Sequence, residues 1–260
     1  MMRIVKMNSG ALTFSLLLAF VAGCATTETK SSSDSAATSE RSGFLSDYAR
    51  LKPVENMEGA NEWLSTGVDW KKYNMVLIER IQVFLKQEGK RKPVDPTDLK
   101  ILVDYFYEAL VKELKPTVEI VEKEGPGVLR FRIAIVDLVP TVAYRSAIGT
   151  ATPYGFVAEY ASGPATGRPA GATPYLGLTG IEAQFIDSGS GAVMAEFSDL
   201  RIGRKYGADL AKSVPDFAQK WATGYLDSFT SWGYAKEAFK MWAGLFRERF
   251  DELRGVNKKK

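Results

Sequence analysis

Leu176 to Arg201 reads LGLTGIEAQFIDSGSGAVMAEFSDLR. Apolar and polar side chains alternate on both sides of Ser188-Gly189-Ser190-Gly191, with Ile181, Ala183 and Phe185 before it and Val193, Ala195 and Phe197 after it. A period of two places each set on one face of a strand, and a short glycine-serine stretch between two such runs is a hairpin turn. The glycines have the spacing of that turn and not of a phosphate-binding loop. Leu176–Asp187 and Ala192–Arg201 therefore pair as an antiparallel hairpin, and the remaining elements must pack around it.

Working upstream, Val128 to Val139 places Leu129, Phe131, Ile133 and Ile135 on one face. It follows Thr117–Val121 across Glu124-Gly125-Pro126-Gly127, which reads as a second hairpin. Val68–Leu85 reads as a further, N-terminal strand through Val76, Ile78, Ile81 and Val83. Between these strands, Asp95-Pro96 supplies an N-cap and a proline at the first helical position. Leu99, Leu102, Val103, Phe106, Leu110 and Leu114 then recur at helical spacing until Pro116. Downstream, Pro215 to Arg254 is helical, with two helices meeting near Trp232-Gly233. Its aromatic stripe runs through Phe217, Trp221, Tyr225 and Phe229, then Phe239, Trp242, Phe246 and Phe250. Lys236, Lys240, Arg247, Arg249 and Arg254 lie among these rings as a solvated face. The class expected is α+β: a mainly antiparallel sheet built from two hairpins plus an N-terminal strand, with helices packed on one face.

The composition excludes much chemistry. The 260 residues contain no histidine, which removes histidine bases, Ser-His-Asp systems and most zinc and haem sites. No cofactor or metal is expected, and no enzyme. Glu182, Asp187, Glu196 and Asp199 on the hairpin are the only carboxylates grouped closely enough to suggest acid–base or calcium chemistry. Solvated strand-face charge is the expected reading of most of them, and Asp187 opens a turn, where an aspartate bonds its own backbone two residues on.

The single cysteine, Cys24, follows an apolar run of about a dozen residues, too short for the roughly 20 that span a bilayer. Arg3 and Lys6 precede the run, and Val21-Ala22-Gly23-Cys24 matches the bacterial lipobox, in which Val21, Ala22 and Gly23 are read by the signal peptidase and Cys24 takes the lipid. Residues 1–23 are then a signal peptide. Residues 24–42, nearly all Ala, Thr, Ser, Glu and Lys, form a disordered tether reaching roughly 25 Å root-mean-square. Residues 43–260 form one α+β domain. Loss of Arg3 and Lys6 leaves 32 basic against 31 acidic residues, a near-neutral chain with no pull toward nucleic acid. Two or three acyl chains hold a protein on a membrane durably.

At GFLSDYARLKP, VDWKKYNMVLIERIQVFL, DYFYEALVKEL, GPGVLRFRIAIVDLVPT and EAQFIDSGSGAVMAEFSDLRIG, the chain resembles a bacterial lipoprotein family of unknown function, domain of unknown function 3313. The resemblance implies a lipid-anchored envelope protein but no particular activity. Ala25 after the cysteine, in place of the aspartate that commonly retains enteric lipoproteins, implies the outer membrane, facing the periplasm. The hairpin is also similar to strand pairs of envelope lipoproteins that assist assembly or transport.

The stretch 143–174 has neither period, and a compact domain rarely keeps so long an irregular segment without a use for it. It is the expected recognition loop, carrying Tyr144, Arg145, Tyr154, Phe156, Tyr160 and Arg168, with Tyr175 just beyond. An insertion covering a sheet edge is the plain alternative. Two functions follow: a non-enzymatic adaptor holding a periplasmic protein partner near the membrane, or a small-molecule or lipid-binding module with a pocket between sheet and helices, lined by residues such as Phe106, Phe131 and Phe185.

Overall fold

The computed structural model describes residues 41–55, 57–85, 93–143, 145, 162–169, 172–173, 175–203 and 230–256. Backbone contacts divide the chain into Met1–Asp34 and Ser35–Lys260. The first unit lies outside the described residues. Every core residue among the described residues belongs to the second.

Eight strands form one mixed sheet: β1 (Lys52–Pro53), β2 (Asn61–Leu64), β3 (Met75–Ile78), β4 (Gln82–Val83), β5 (Glu119–Ile120), β6 (Val128–Val139), β7 (Leu178–Asp187) and β8 (Val193–Ile202). Their order is β1-β2-β8-β7-β6-β3-β5, with β4 also on β6. The class is α+β and the sheet is mostly antiparallel, as expected. The β7–β8 hairpin forms with Ala183 opposite Phe197 and Phe185 opposite Ala195.

The other strand pair is joined differently from the expected hairpin. β5 and β6 do not pair with each other; both run parallel to β3, which lies between them. A parallel return ordinarily needs a dozen or more residues. Here β5 is only two residues long, so the seven residues after it suffice. Gly127, at φ 75°, makes the turn into β6.

The expected strand at 68–85 is also interrupted. A 3-10 turn at Trp70–Lys72 precedes β3, and β3 breaks before β4. Ile78 pairs with Phe131 and Gln82 with Ala134, so four steps on one strand match three on the other. This one-residue bulge moves the apolar set from the even positions Val76 and Ile78 to the odd positions Ile81 and Val83.

Helix α1 (Pro96–Leu114) begins as the sequence indicates, with Asp95 accepting from the Thr97 amide and Leu102, Phe106, Leu110 and Leu114 buried along one stripe. Helix α2 (Gly233–Arg254) starts at the expected junction and buries Phe239, Trp242, Phe246 and Phe250. The Pro215–Phe229 part of the stripe lies outside the described residues. Phe106 stacks on Phe239 with ring centroids 4.6 Å apart, joining α1 to α2. Phe246 meets Phe185 and Phe197 edge-on at 5.3 and 5.4 Å, joining α2 to the sheet.

The opposite face of the sheet is covered by a strap, residues 42–51. Phe44 and Leu45 bury themselves against Ala134 and Val136. The strap also meets polar side chains. Tyr48 and Ser42 hydroxyls donate to Glu182 at 2.7 and 2.6 Å, the Ser46 amide and hydroxyl donate to Glu196 at 2.7 and 2.6 Å, and Arg50 pairs with Glu196 at 2.8 Å. Gln184 donates to Glu196 and accepts from Arg132. Buried carboxylates are stable when supplied with donors in this way. The outermost strands, β1 and β5, are two residues each, and β1 ends in Pro53.

Candidate functional site

On the helix side, a cavity of about 460 Å³ lies between the sheet and the C-terminal half of α2. That volume falls within the ~300–1,000 Å³ of small-molecule sites. Its floor is Leu129 and Phe131 of β6, Phe185 of β7, and Ala195 and Phe197 of β8. These are the inward positions that the period of two selects. Its roof is Leu245, Phe246, Phe250 and Leu253, one face of α2, and Trp70 adds a further ring to the lining.

The mouth is made by the turn between β1 and β2 with Val54, Glu55 and Met57, together with Glu62, Leu64, Arg249 and Glu252. Gly59 in this turn has φ 89°, and a side chain there would meet the Leu200 carbonyl at 3.0 Å, so the turn lies close on β8 because it is glycine. Arg249 bridges the mouth, donating to Glu62 at 2.8 Å and to Glu252 at 3.5 Å. Of the pocket rings named from sequence, Phe131 and Phe185 line this cavity. Phe106 does not; it is at the α1–α2 contact.

The four hairpin carboxylates are separated rather than gathered. Glu182 and Glu196 bind the strap, and in the strand register Glu182 is opposite Ser198 and Glu196 opposite Gln184. Burial pushes the Glu196 carboxyl up, but the donors from Ser46, Gln184 and Arg50 outweigh it and hold the group below its usual range. Asp199 faces the helices, accepting from the indole of Trp242 and from Arg201, both at 2.6 Å. Burial raises its carboxyl above the usual value.

Asp187 closes the hairpin turn, accepting from the Ser190 amide and hydroxyl at 2.7 and 2.8 Å. Its other oxygen takes the Tyr73 hydroxyl at 2.7 Å and Lys72 at 2.8 Å. Lys72 and Tyr73 together hold the Asp187 carboxyl far below its ordinary 3.8, while burial and the same carboxylate push the Tyr73 hydroxyl up to about 12. A carboxylate so fully bonded is a turn anchor and not a proton carrier.

A pH prediction follows from Asp187. With its folded value below the unfolded one, its stabilisation is present above about pH 3.8 and is lost as the pH falls further. Asp187→Asn is expected to lower stability by about 1–3 kcal/mol at pH 7. Denaturant unfolding at stepped pH should also show the variant losing less than the parent between pH 5 and pH 2. An equal loss in both chains would contradict this assignment.

Of the loop residues singled out, Tyr144, Tyr154, Phe156 and Tyr160 lie outside the described residues, as do Val21, Ala22, Gly23 and Cys24. Arg168 donates through Nη1 to the carbonyls of Thr173 and Leu176, both at 2.9 Å, and so pins the end of the loop to the start of β7. The Tyr175 carbonyl accepts from the Val142 amide and the Arg145 amide donates to the Val142 carbonyl, joining the two ends of the loop. No described helix is long and apolar enough to cross a membrane.

The cavity is the feature sequence reasoning located least well. The sequence names two of its rings, Phe131 and Phe185, as pocket lining, but the residues that α2 adds, Leu245, Phe246, Phe250 and Leu253, are read there only as part of a helical stripe or not singled out.

A family model described as "Protein of unknown function (DUF3313)" matches residues 40–225. No curated protein matches the chain significantly. Among solved structures, similarity extends to the PelC dodecamer from Paraburkholderia phytofirmans, at 11% identity over 65% of this chain and 98% of that one, TM-score 0.30. A DUF4136 family protein from Bacteroides thetaiotaomicron is similar at 9% identity over 74% and 95%, TM-score 0.31. A DUF330 family protein from Xanthomonas campestris is similar at 11% identity over 69% and 87%, TM-score 0.29.

Proposed function

The chain belongs to the DUF3313 family of proteins of unknown function, and from that premise we propose that it is a non-enzymatic envelope lipoprotein that binds an apolar small molecule. The observation that carries this reading is the cavity of about 460 Å³, walled by aromatic and aliphatic side chains from β6, β7, β8 and α2 and open beside Glu62 and Arg249. Apolar walls with a few polar groups at one end are the usual form of a small-molecule site. An adaptor built on sheet-edge pairing has less support, because the outer strands offer two residues each.

Lipid at Cys24 would hold this module on the outer membrane, facing the periplasm, with the tether of residues 24–42 setting its reach. Cys24→Ser is expected to abolish incorporation of radiolabelled fatty acid and to leave uncleaved precursor. Equal labelling of the two chains would remove the anchor from the proposal.

The cavity itself is tested on the Ser35–Lys260 unit with a neutral fluorescent probe such as N-phenyl-1-naphthylamine. Binding should be saturable, and Leu245→Trp, which fills the space from α2, should weaken it at least about tenfold while leaving a folded protein whose stability changes by no more than ~1–3 kcal/mol. Probe affinity unchanged in a folded Leu245→Trp chain would overturn the reading.

A further inference from the structure

We infer that the molecule held in this cavity is an amphipathic cation, an apolar body carrying an amine or quaternary ammonium group, rather than a fatty acid or another anionic amphiphile. The inference rests on the binding reading above and adds the charge of the ligand. Two observations carry it.

The first is the charge of the mouth. Three carboxylates, Glu55, Glu62 and Glu252, stand there with one guanidinium, Arg249. Arg249 is already held by Glu62 at 2.8 Å and by Glu252 at 3.5 Å. Glu196 also contributes to the lining, but its carboxylate is bonded to Ser46, Gln184 and Arg50 of the strap network and is not offered to the cavity. A ligand head at the mouth therefore meets an excess of negative charge. An anionic head could use the Arg249 Nε, a buried donor without a partner among the described residues, but only against the two carboxylates that hold the same guanidinium.

The second is the nature of the walls. Phe131 meets Phe185 edge-on at 4.7 Å and Phe250 at 6.0 Å, and Phe185 meets Phe246 at 5.3 Å. Trp70 completes the aromatic lining. Ring faces carry negative charge and attract cations within about 6 Å, so walls of this composition favour a cationic head over an anionic one where the head reaches them. Apolar tails are accepted by the same walls whatever the head, so the charge of the head decides between ligands of equal length.

The experiment displaces the neutral probe from the Ser35–Lys260 unit with dodecyltrimethylammonium, dodecanol and dodecanoate, each below its micellar concentration. The cation is expected to displace at a concentration about tenfold or more below that of the anion, with the alcohol between them. In Glu62→Gln/Glu252→Gln, and in high salt, the interval between cation and anion should shrink several-fold while the alcohol is unmoved. Dodecanoate displacing as well as or better than the cation would overturn the inference and leave the cavity reading standing. A folded chain that binds neither the probe nor any of the three would overturn both. Equal intervals in the parent and the double variant would place the preference elsewhere than at this mouth and likewise overturn the inference.

Discussion

Trp242→Ala is expected to destabilise the Ser35–Lys260 unit by about 3 to 5 kcal/mol, a large fraction of the stability of a domain this size. The indole is fully buried and packs beside the stacked rings of Phe106 and Phe239, at 6.2 and 6.0 Å. Truncation leaves a void where α1, α2 and the sheet converge. It also removes the N–H that Asp199 accepts at 2.6 Å, and the other Asp199 oxygen is buried without a partner among the described residues. Trp242→Phe separates the two effects, since it keeps most of the volume and loses only the donor, at about 1–3 kcal/mol.

The pH dependence identifies the donor loss. Asp199 has a folded value above the unfolded 3.8, so it favours the folded state most at low pH, and this contribution is lost as pH rises through the folded value. Without the indole the charged form is poorer still, and Trp242→Phe should be more destabilising at pH 7 than at pH 4. Denaturant midpoints at the two pH values check this. A change within about 0.5 kcal/mol for Trp242→Ala would place the ring on the surface.

Removal of the strap is the second large effect. A chain beginning at Lys52 loses Phe44 and Leu45, worth about 1.5–3 kcal/mol of burial each, and uncovers Ala134 and Val136. It also takes the strap's donors from Glu182 and Glu196, two carboxylates at 2% and 1% exposure, and leaves Glu196 only Gln184 of the donors described. The expected result is a chain without a cooperative unfolding transition, or with a midpoint far below that of the Ser35–Lys260 unit. Glu196→Gln, which keeps the shape and discards the charge, should cost less. With the Glu196 carboxyl held below its usual 4.5, its stabilisation exists above that pH and fades below it, so Glu196→Gln should matter at pH 7 and little at pH 3. An undiminished transition in the strapless chain would show that the second sheet face is stable bare.

Much of this fold was legible because it is written in local periods. The β7–β8 hairpin, the cap and stripe of α1 and the aromatic stripe of α2 each announce themselves within twenty residues. The β3–β4 bulge was also written there, as the step from Val76 and Ile78 to Ile81 and Val83. The placement of β3 between β5 and β6 was not, since nothing in Glu119-Ile120 distinguishes a partner across a turn from one 44 residues earlier. The strap was hidden for another reason. Ser42 to Leu51 has no strand or helix period, because its bonds run from hydroxyls and an arginine to single carboxylates on distant strands. The cavity is less visible still, being a property of how side chains from several elements fail to meet.

One further consequence lies at the margins of the sheet. A protein fixed to a bilayer by lipid is confined to two dimensions, where neighbours collide at concentrations that a free protein rarely experiences. A long bare strand under such crowding is a template for fibre growth. Here β1 presents Lys52 and then Pro53, which has no amide hydrogen to share, and β5 ends after Glu119 and Ile120. Under the lipid anchoring proposed above, sheet margins this short would offer a neighbouring copy little edge to extend.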